Sequence, residues 1–268
     1  MPRKIIFGLI FLLVVELVPM NSSHAQSGQA LYLDGDGDWV EVPGPWELMG
    51  LTHMTAEVWV KIQEFEWNAG ILALGDRSSE RFALTHTAYG LHGEDPENGI
   101  LEWEFNWSGG VSAPFATKLE QGRFQHVAVT YNDSICRLYV DGLFAEKRAY
   151  DSPVNGGEYY NFYIGNQIGS HPELYKGLID EVRIWDYART EEEIQADMSR
   201  SLTGEEQGLV GYWNFNGTNQ EGLVPDLSGS ANHGVLVGNA HLVPWDIEMP
   251  ISLVRPVTWG IIKTPTVD

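Results

Sequence analysis

Residues 124–148 constrain the fold more than any other stretch of the chain. Phe124–Tyr131 is rich in β-branched and aromatic residues, the composition of a strand. Asn132-Asp133-Ser134 then turns the chain, and Ile135–Val140 returns. Asp141-Gly142 is a tight hairpin signal, followed by Leu143–Arg148. Three consecutive antiparallel strands are therefore expected here. Met54–Ile62 has the same character. Met54, Ala56, Val58, Val60 and Ile62 fall on one face, and Thr55, Glu57, Trp59 and Lys61 on the other. That alternation predicts a strand with one dry and one wet face. Shorter strands are expected at 31–33, 38–42, 70–74, 81–85, 100–107, 161–165, 178–186, 209–215 and 234–242. Strands at this spacing, with 29 glycines available for the turns, predict an all-β, two-sheet antiparallel sandwich. One short helix interrupts the pattern. Thr190 caps it, Glu193 completes a capping box, and Ile194 and Met198 form a narrow apolar stripe. It is expected to end near Ser199–Ser201 and to cover one end of the sandwich.

The ends have a different character. Arg3 and Lys4 precede an apolar run from Ile5 to Val18, broken only by Glu16 and closed by Pro19 and Ser23-His24-Ala25. The run is shorter than the ~20 residues of a spanning helix. Residues 1–25 thus read as a secretory signal peptide, and the mature protein as secreted or cell-surface, with no membrane span. Residues 26–244 read as one domain. Gly204–Gly208 is not expected to divide it, because the residues that follow are too few for a separate core. Residues 245–268 carry three prolines and read as a tail or linker. The formal charge of −21 repels phosphate backbones, which argues against a nucleic-acid partner. A single cysteine, Cys136, cannot staple the fold and reads as a buried small hydrophobe.

Several clusters invite a chemical reading. Asp34-Gly35-Asp36-Gly37-Asp38 puts three acids on a loop softened by glycine, which can surround Ca²⁺ with hard oxygens. It is not an EF-hand, because Trp39 and Pro45 stand where that loop needs Gly and Glu. A solvated β-turn is the plainer alternative. Residues 226–234, from Asp226 to Gly234, are turn formers suited to bonding backbone. His86, His92 and His126 do not cluster at metal-ligand spacing, and His126 is expected to pack on Trp or Tyr. Sugar rings stack on aromatic faces while acids and amides take their hydroxyls. Trp46, Trp67 and Tyr89, with Tyr159-Tyr160 beside them, lie in expected loops and are the candidate ligand contacts. Trp59, Trp103, Trp185 and Trp213 lie on strands and read as core.

The ordered motifs ALYLDGDGDWVEVP (30–43), MTAEVWVK (54–61), RFQHVAVTYNDSICRLYVDGLFA (123–145), YIGNQ (163–167) and KGLIDEVRIWDYARTEEEI (176–194) resemble the laminin-G-like, concanavalin A-like jelly roll domains of bacterial secreted proteins. The segment GLVGYWNFN…DLSGSANHGVLVG (208–238) is similar to what often trails them. The resemblance implies a jelly roll. It also implies a structural Ca²⁺ where the first strand meets the Ile-Asp-Glu-Val strand, with Asp34 or Asp36 meeting Asp180. Glycosidases of related fold carry a Glu-x-Asp-x-x-Glu strand. Here Glu102-Trp-Glu104-Phe-Asn-Trp lacks the central Asp and final Glu, although the two acids lie about 7 Å apart on one strand face. The implied function is a non-catalytic binding or adhesion module for a glycan or an extracellular protein. A glycoside hydrolase or polysaccharide lyase is the alternative.

Overall fold

A computed structural model describes residues 28–44, 53–66, 68–76, 79–87, 99–105, 111–132, 134–149, 161–167 and 173–248. In chain order the strands are β1 (Gln29–Asp34), β2 (Trp39–Val42), β3 (His53–Ile62), β4 (Ala69–Asp76), β5 (Ser79–Thr87), β6 (Ile100–Phe105), β7 (Val111–Lys118), β8 (Phe124–Asn132), β9 (Ile135–Val140), β10 (Leu143–Ala149), β11 (Asn161–Ile164), β12 (Asn166–Gln167), β13 (Glu173–Leu174) and β14 (Lys176–Trp185). Helix α1 (Glu191–Asp197) follows, then β15 (Leu209–Trp213), β16 (Val235–Val237) and β17 (His241–Pro244).

The result is the expected two-sheet antiparallel sandwich. One sheet runs β10-β9-β8-β3-β14-β1-β17, with β15 also paired to β14; the other runs β16-β2-β11-β4-β5-β6-β7. The run 124–148 forms β8, β9 and β10 in successive antiparallel register. Asp141 and Gly142 take φ of 51° and 76°, the pair of positive values that a two-residue type I′ turn requires. Sequence-distant strands close the sheets: β17 pairs with β1, and β16 pairs with β2. The stretch expected as one strand over 234–242 is thus two strands, one in each sheet. Strand β7, which carries Pro114 at the sheet edge, had no clear periodic signal.

The main core lies between the sheets. Leu31, Val58, Val60, Val127, Ile179 and Val182 of one sheet meet Val40, Leu72, Phe82, Leu84, Trp103 and Phe162 of the other, and Cys136 and Trp213 are buried with them. Phe82 stacks on Trp103 at 5.1 Å, and Phe162 on Trp213 at 5.4 Å.

The half-wet character expected of β3 is corrected. Thr55, Glu57 and Trp59 are as buried as the apolar residues between them. The reason is tertiary. The chain after β14 folds back across the outer face of the eight-stranded sheet and carries α1 with it. Thr190 caps α1 through its side chain, and Glu193 closes the capping box as expected. The helix ends at Asp197 with Met198 as its C-cap, slightly before the expected limit. Met198 O accepts from Trp59 Nε1 at 2.8 Å. Beyond β17, Trp245 stacks on Phe124 at 4.2 Å with nearly parallel rings, so the first residue of the expected tail is packed against the sheet.

Candidate functional site

The outer face of the eight-stranded sheet is built around Glu57. Its Oε1 accepts from Arg189 Nη1 at 2.7 Å. Its Oε2 lies 3.5 Å from His126 Nε2 and 3.9 Å from Arg183 Nη1. Burial alone would raise the Glu57 carboxyl. His126, then Arg189 and Arg183, outweigh that and hold it at about 2. Arg183 donates to Glu181 Oε2 and to the carbonyls of Asp197 and Arg200. Arg189 bonds Asp197 and the carbonyl of Glu193. Tyr212 donates its hydroxyl to Glu181. Thr55 ties the crossing strap down twice: it donates to Tyr187 O and accepts from Arg189 N. The segment from Tyr187 to Leu202 is therefore fixed to the sheet by charge-assisted bonds. His126 packs on Trp59 at 5.3 Å, as expected.

This strap shapes a cleft of about 400 Å³ lined by Asp186, Tyr187, Glu193, Gln207 and Gly208. Arg189 lies over the Trp185 ring at 4.1 Å, and Trp185 meets Tyr187 edge-on at 6.0 Å. The stack Arg189–Trp185–Tyr187 holds the tyrosine ring in place from behind. Asp186 N donates to Gly208 O at 2.9 Å, so the β14 end and the approach to β15 are bound together. Gly208 has φ of 82°, and a Cβ there would stand 2.6 Å from Asp186 Oδ1 and 2.7 Å from Tyr187 Cδ1. Glycine keeps the cleft open. Glu193 Oε2 is engaged by Thr190 N. The lining thus combines an aromatic ring, a surface carboxylate, a capping carboxylate and an amide. None of these residues was singled out as a ligand contact from the sequence. The available signal was the pair Trp59 and Trp185, large aromatics on strand faces that a solvated sheet would not carry.

The expected site residues separate in space. Trp46, Trp67 and Tyr89 lie outside the described residues, as do His92 and Tyr159-Tyr160. Asp34 stands opposite Lys176 in the β1–β14 register. Asp180 is four residues further along β14, about 13 Å away by strand rise. Asp34, Asp36 and Asp180 therefore do not converge. The donor chemistry agrees: Asp38 accepts from the amides of Asp34 and Gly35, Asp34 accepts from the amide of Asp36, and Asn239 donates to Asp34. The loop carboxylates largely close their own turn. Asp180 is buried beneath Trp245, with its carboxyl raised well above the usual range by burial and then by Glu181. Among the described residues no three His, Cys, Asp or Glu side chains are grouped as a metal site. These three residues do not fit a shared Ca²⁺.

Glu102 and Glu104 stand opposite Thr85 and Ala83 on β5 and opposite Pro114 and Ser112 on β7. His86 is buried, meeting Phe65 and Tyr175 edge-on, and burial lowers it to about 3. Asp226 accepts from the amides of Tyr212, Ser228 and Asn232, a structural knot of the kind expected for that cluster.

Residues 34–195 match the family model described as the concanavalin A-like lectin/glucanases superfamily. The chain belongs to that superfamily. Its sandwich is similar to a protein from Bacteroides ovatus to which carbohydrate binding is ascribed. The TM-score is 0.63 at 21% identity, covering 84% of this chain and 62% of that one. This concanavalin A-like chain therefore spans less than two thirds of that relative's length. It is also similar to a heptameric SAP-like pentraxin from Limulus polyphemus, with TM-score 0.54, 16% identity, and 85% and 98% of the two chains covered. Domain 4 of AbnA, an extracellular arabinanase from Geobacillus stearothermophilus solved with arabinotriose, gives 0.50 at 19% identity over 64% and 76%. At these identities the likeness is one of fold. No curated protein matches the chain. Among the described residues no helix is long and apolar enough to cross a membrane.

Proposed function

We propose that this chain is a secreted, non-catalytic module that binds a glycan in the cleft beside α1. The observation that carries the reading is the cleft lining: the Tyr187 ring beside the Asp186 carboxylate and the Gln207 amide. A sugar presents a C–H face to an aromatic ring and hydroxyls to carboxylates and amides, and a cleft of this size admits one or two residues. The family and the fold of its carbohydrate-binding members support the class of ligand. The leader over residues 1–25 supports secretion.

Binding is favoured over hydrolysis by the state of the two acids. Hydrolysis of a glycosidic bond generally asks for two carboxyl groups at the bond. Glu193 is held to the Thr190 amide at 2.8 Å, which leaves Asp186, among the described residues, as the lining carboxylate without such a commitment.

The test is calorimetric titration of neutral oligosaccharides into the protein and two variants. Tyr187→Ala should weaken binding about tenfold, the scale of one aromatic contact. Gly208→Ala should weaken it further by filling the cleft, with the circular dichroism spectrum unchanged. Binding that is equal in all three proteins would move the site elsewhere.

A further inference from the structure

We infer that the cleft selects sugars carrying a free amine over their neutral counterparts. The inference rests on the glycan reading of the same cleft and adds the ligand's charge. Among the described residues, the cleft is lined by two acids, Asp186 and Glu193, and by no basic side chain. Arg189, which lies over the Trp185 ring behind Tyr187, is committed to Glu57 and Asp197 below the strap. Arg200 likewise faces Asp197 and Glu206. Glu206, next to the lining Gln207, adds a third carboxylate to the surroundings, although its oxygens are turned onto Thr203 and Gly204.

The cations of the region are therefore spent on internal partners, while Asp186 faces the cleft as an exposed carboxylate. The chain as a whole carries −21, so the long-range field also draws in cations and repels uronic and sialic acids. An ammonium on a pyranose seated against Tyr187 would gain a charged partner in Asp186. A hydroxyl at the same ring position would gain only an ordinary hydrogen bond. The geometry of the ring contact is the same for both, so charge alone separates them.

The size of the effect is bounded by exposure. A solvent-accessible ion pair contributes about 0.2–1 kcal/mol, which is a factor of roughly 1.5 to 5 in affinity. Salt screens it, with a Debye length near 10 Å at 0.1 M.

The experiment uses three trisaccharides on the full mature chain: cellotriose, the β-1,4 trimer of glucosamine, and the β-1,4 trimer of N-acetylglucosamine. At low salt and pH 6 the glucosamine trimer should bind about 1.5- to 5-fold tighter than cellotriose. The advantage should vanish in Asp186→Asn, at high salt, and above the pKa of the sugar amine. The readout in Asp186→Asn is the ratio of the two affinities, so any loss that the change causes in cellotriose binding itself cancels. Equal affinity for the glucosamine trimer and cellotriose in the unmodified protein would overturn the amine preference and leave the glycan reading standing. A glucosamine advantage that persists in Asp186→Asn would overturn the assignment to this cleft. Failure of all three trimers and of the neutral panel would overturn both readings.

Discussion

The space between the two sheets and the part of the eight-stranded sheet's outer face beneath residues 186–202 are both dry, yet they are built from opposite materials. Between the sheets, Val58, Val127, Ile179, Leu84 and Trp103 exclude water by shape and area. On the outer face, Glu57, His126, Arg183, Arg189 and Glu181 are buried as ions or polar groups. The apolar layer can repack, because one hydrocarbon neighbour substitutes for another. The ionic layer cannot, because each buried charge needs its particular partner. Arg183 reaches the carbonyls of Asp197 and Arg200, and Arg189 reaches that of Glu193. These bonds set where the strap lies on the sheet, and hence the position of Tyr187 and the cleft. The core holds the sandwich together. The outer layer fixes one crossing segment in one place.

The sharpest way to break the comparison is to remove the central anion. Glu57→Ala removes the anion that Arg189, Arg183 and His126 share, leaving Arg183 with Glu181 and Arg189 with Asp197 as their remaining carboxylates, and should cost about 3 kcal/mol. Trp103→Ala in the core should cost a similar ~3–5 kcal/mol through its cavity. Urea denaturation midpoints would compare them directly. A cost for Glu57→Ala below about 1 kcal/mol would mean that the outer layer is hydrated and not dry.

Acid titration separates the two layers in pH. His86 between the sheets is held neutral, lowered to about 3 by burial. The unfolded chain takes up that proton first, so stability falls as pH drops from about 6.5 toward 3, by up to about 1.4 kcal/mol per unit. Glu57 is lowered to about 2, so its contribution is present above about 4.5 and is lost as pH falls toward 2. The two windows are staggered, and His86→Leu should flatten only the upper one. Thermal denaturation between pH 7 and pH 3 would show it.

The Asp34–Asp38 loop sharpens the comparison at smaller scale. Asp38 is buried and caps two amides, so Asp38→Ala should cost about 1–3 kcal/mol. Asp36 is exposed, and its replacement by Ala should change stability by less than about 0.5 kcal/mol. Equal costs would mean that the two share a role. One change is expected to give a gain. The Asp180 carboxyl is raised by burial, so its contribution falls as pH rises from about 4 toward its folded value. Asp180→Asn keeps an acceptor for the Glu181 amide without the charge, and should add about 1 kcal/mol at pH 7. Differential scanning calorimetry at pH 4 and pH 7 would show the gain only at the higher pH.

How far the sequence carried the reading depended on whether a signal was local. Alternation along Phe124–Tyr131, the Asp141-Gly142 turn and the Thr190–Glu193 box were all legible, because each depends on neighbours a few residues away. The burial of Cys136 and the packing of His126 on Trp59 followed from the same strand logic. The wet side of β3 was misread, because Thr55, Glu57 and Lys61 look like surface to a period-two rule. Only the return of residues 186–202 across that face buries Thr55 and Glu57. The family resemblance implied that Asp34 or Asp36 meets Asp180 where their strands pair. Register, which a sequence does not display across 146 residues of separation, sets Asp180 four residues from the partner of Asp34.

The sequence by itself therefore determined an antiparallel sandwich with one capped helix, because strand alternation, hairpin turns and capping boxes are short-range physics. The tertiary structure alone decided the outer ionic layer and the cleft it shapes. Glu57, His126, Arg183 and Arg189 come from three different strands and a loop, and Asp186 meets Gly208 across the β14–β15 pairing. Long-range contact is what turned those ordinary polar residues into a buried network and an open site.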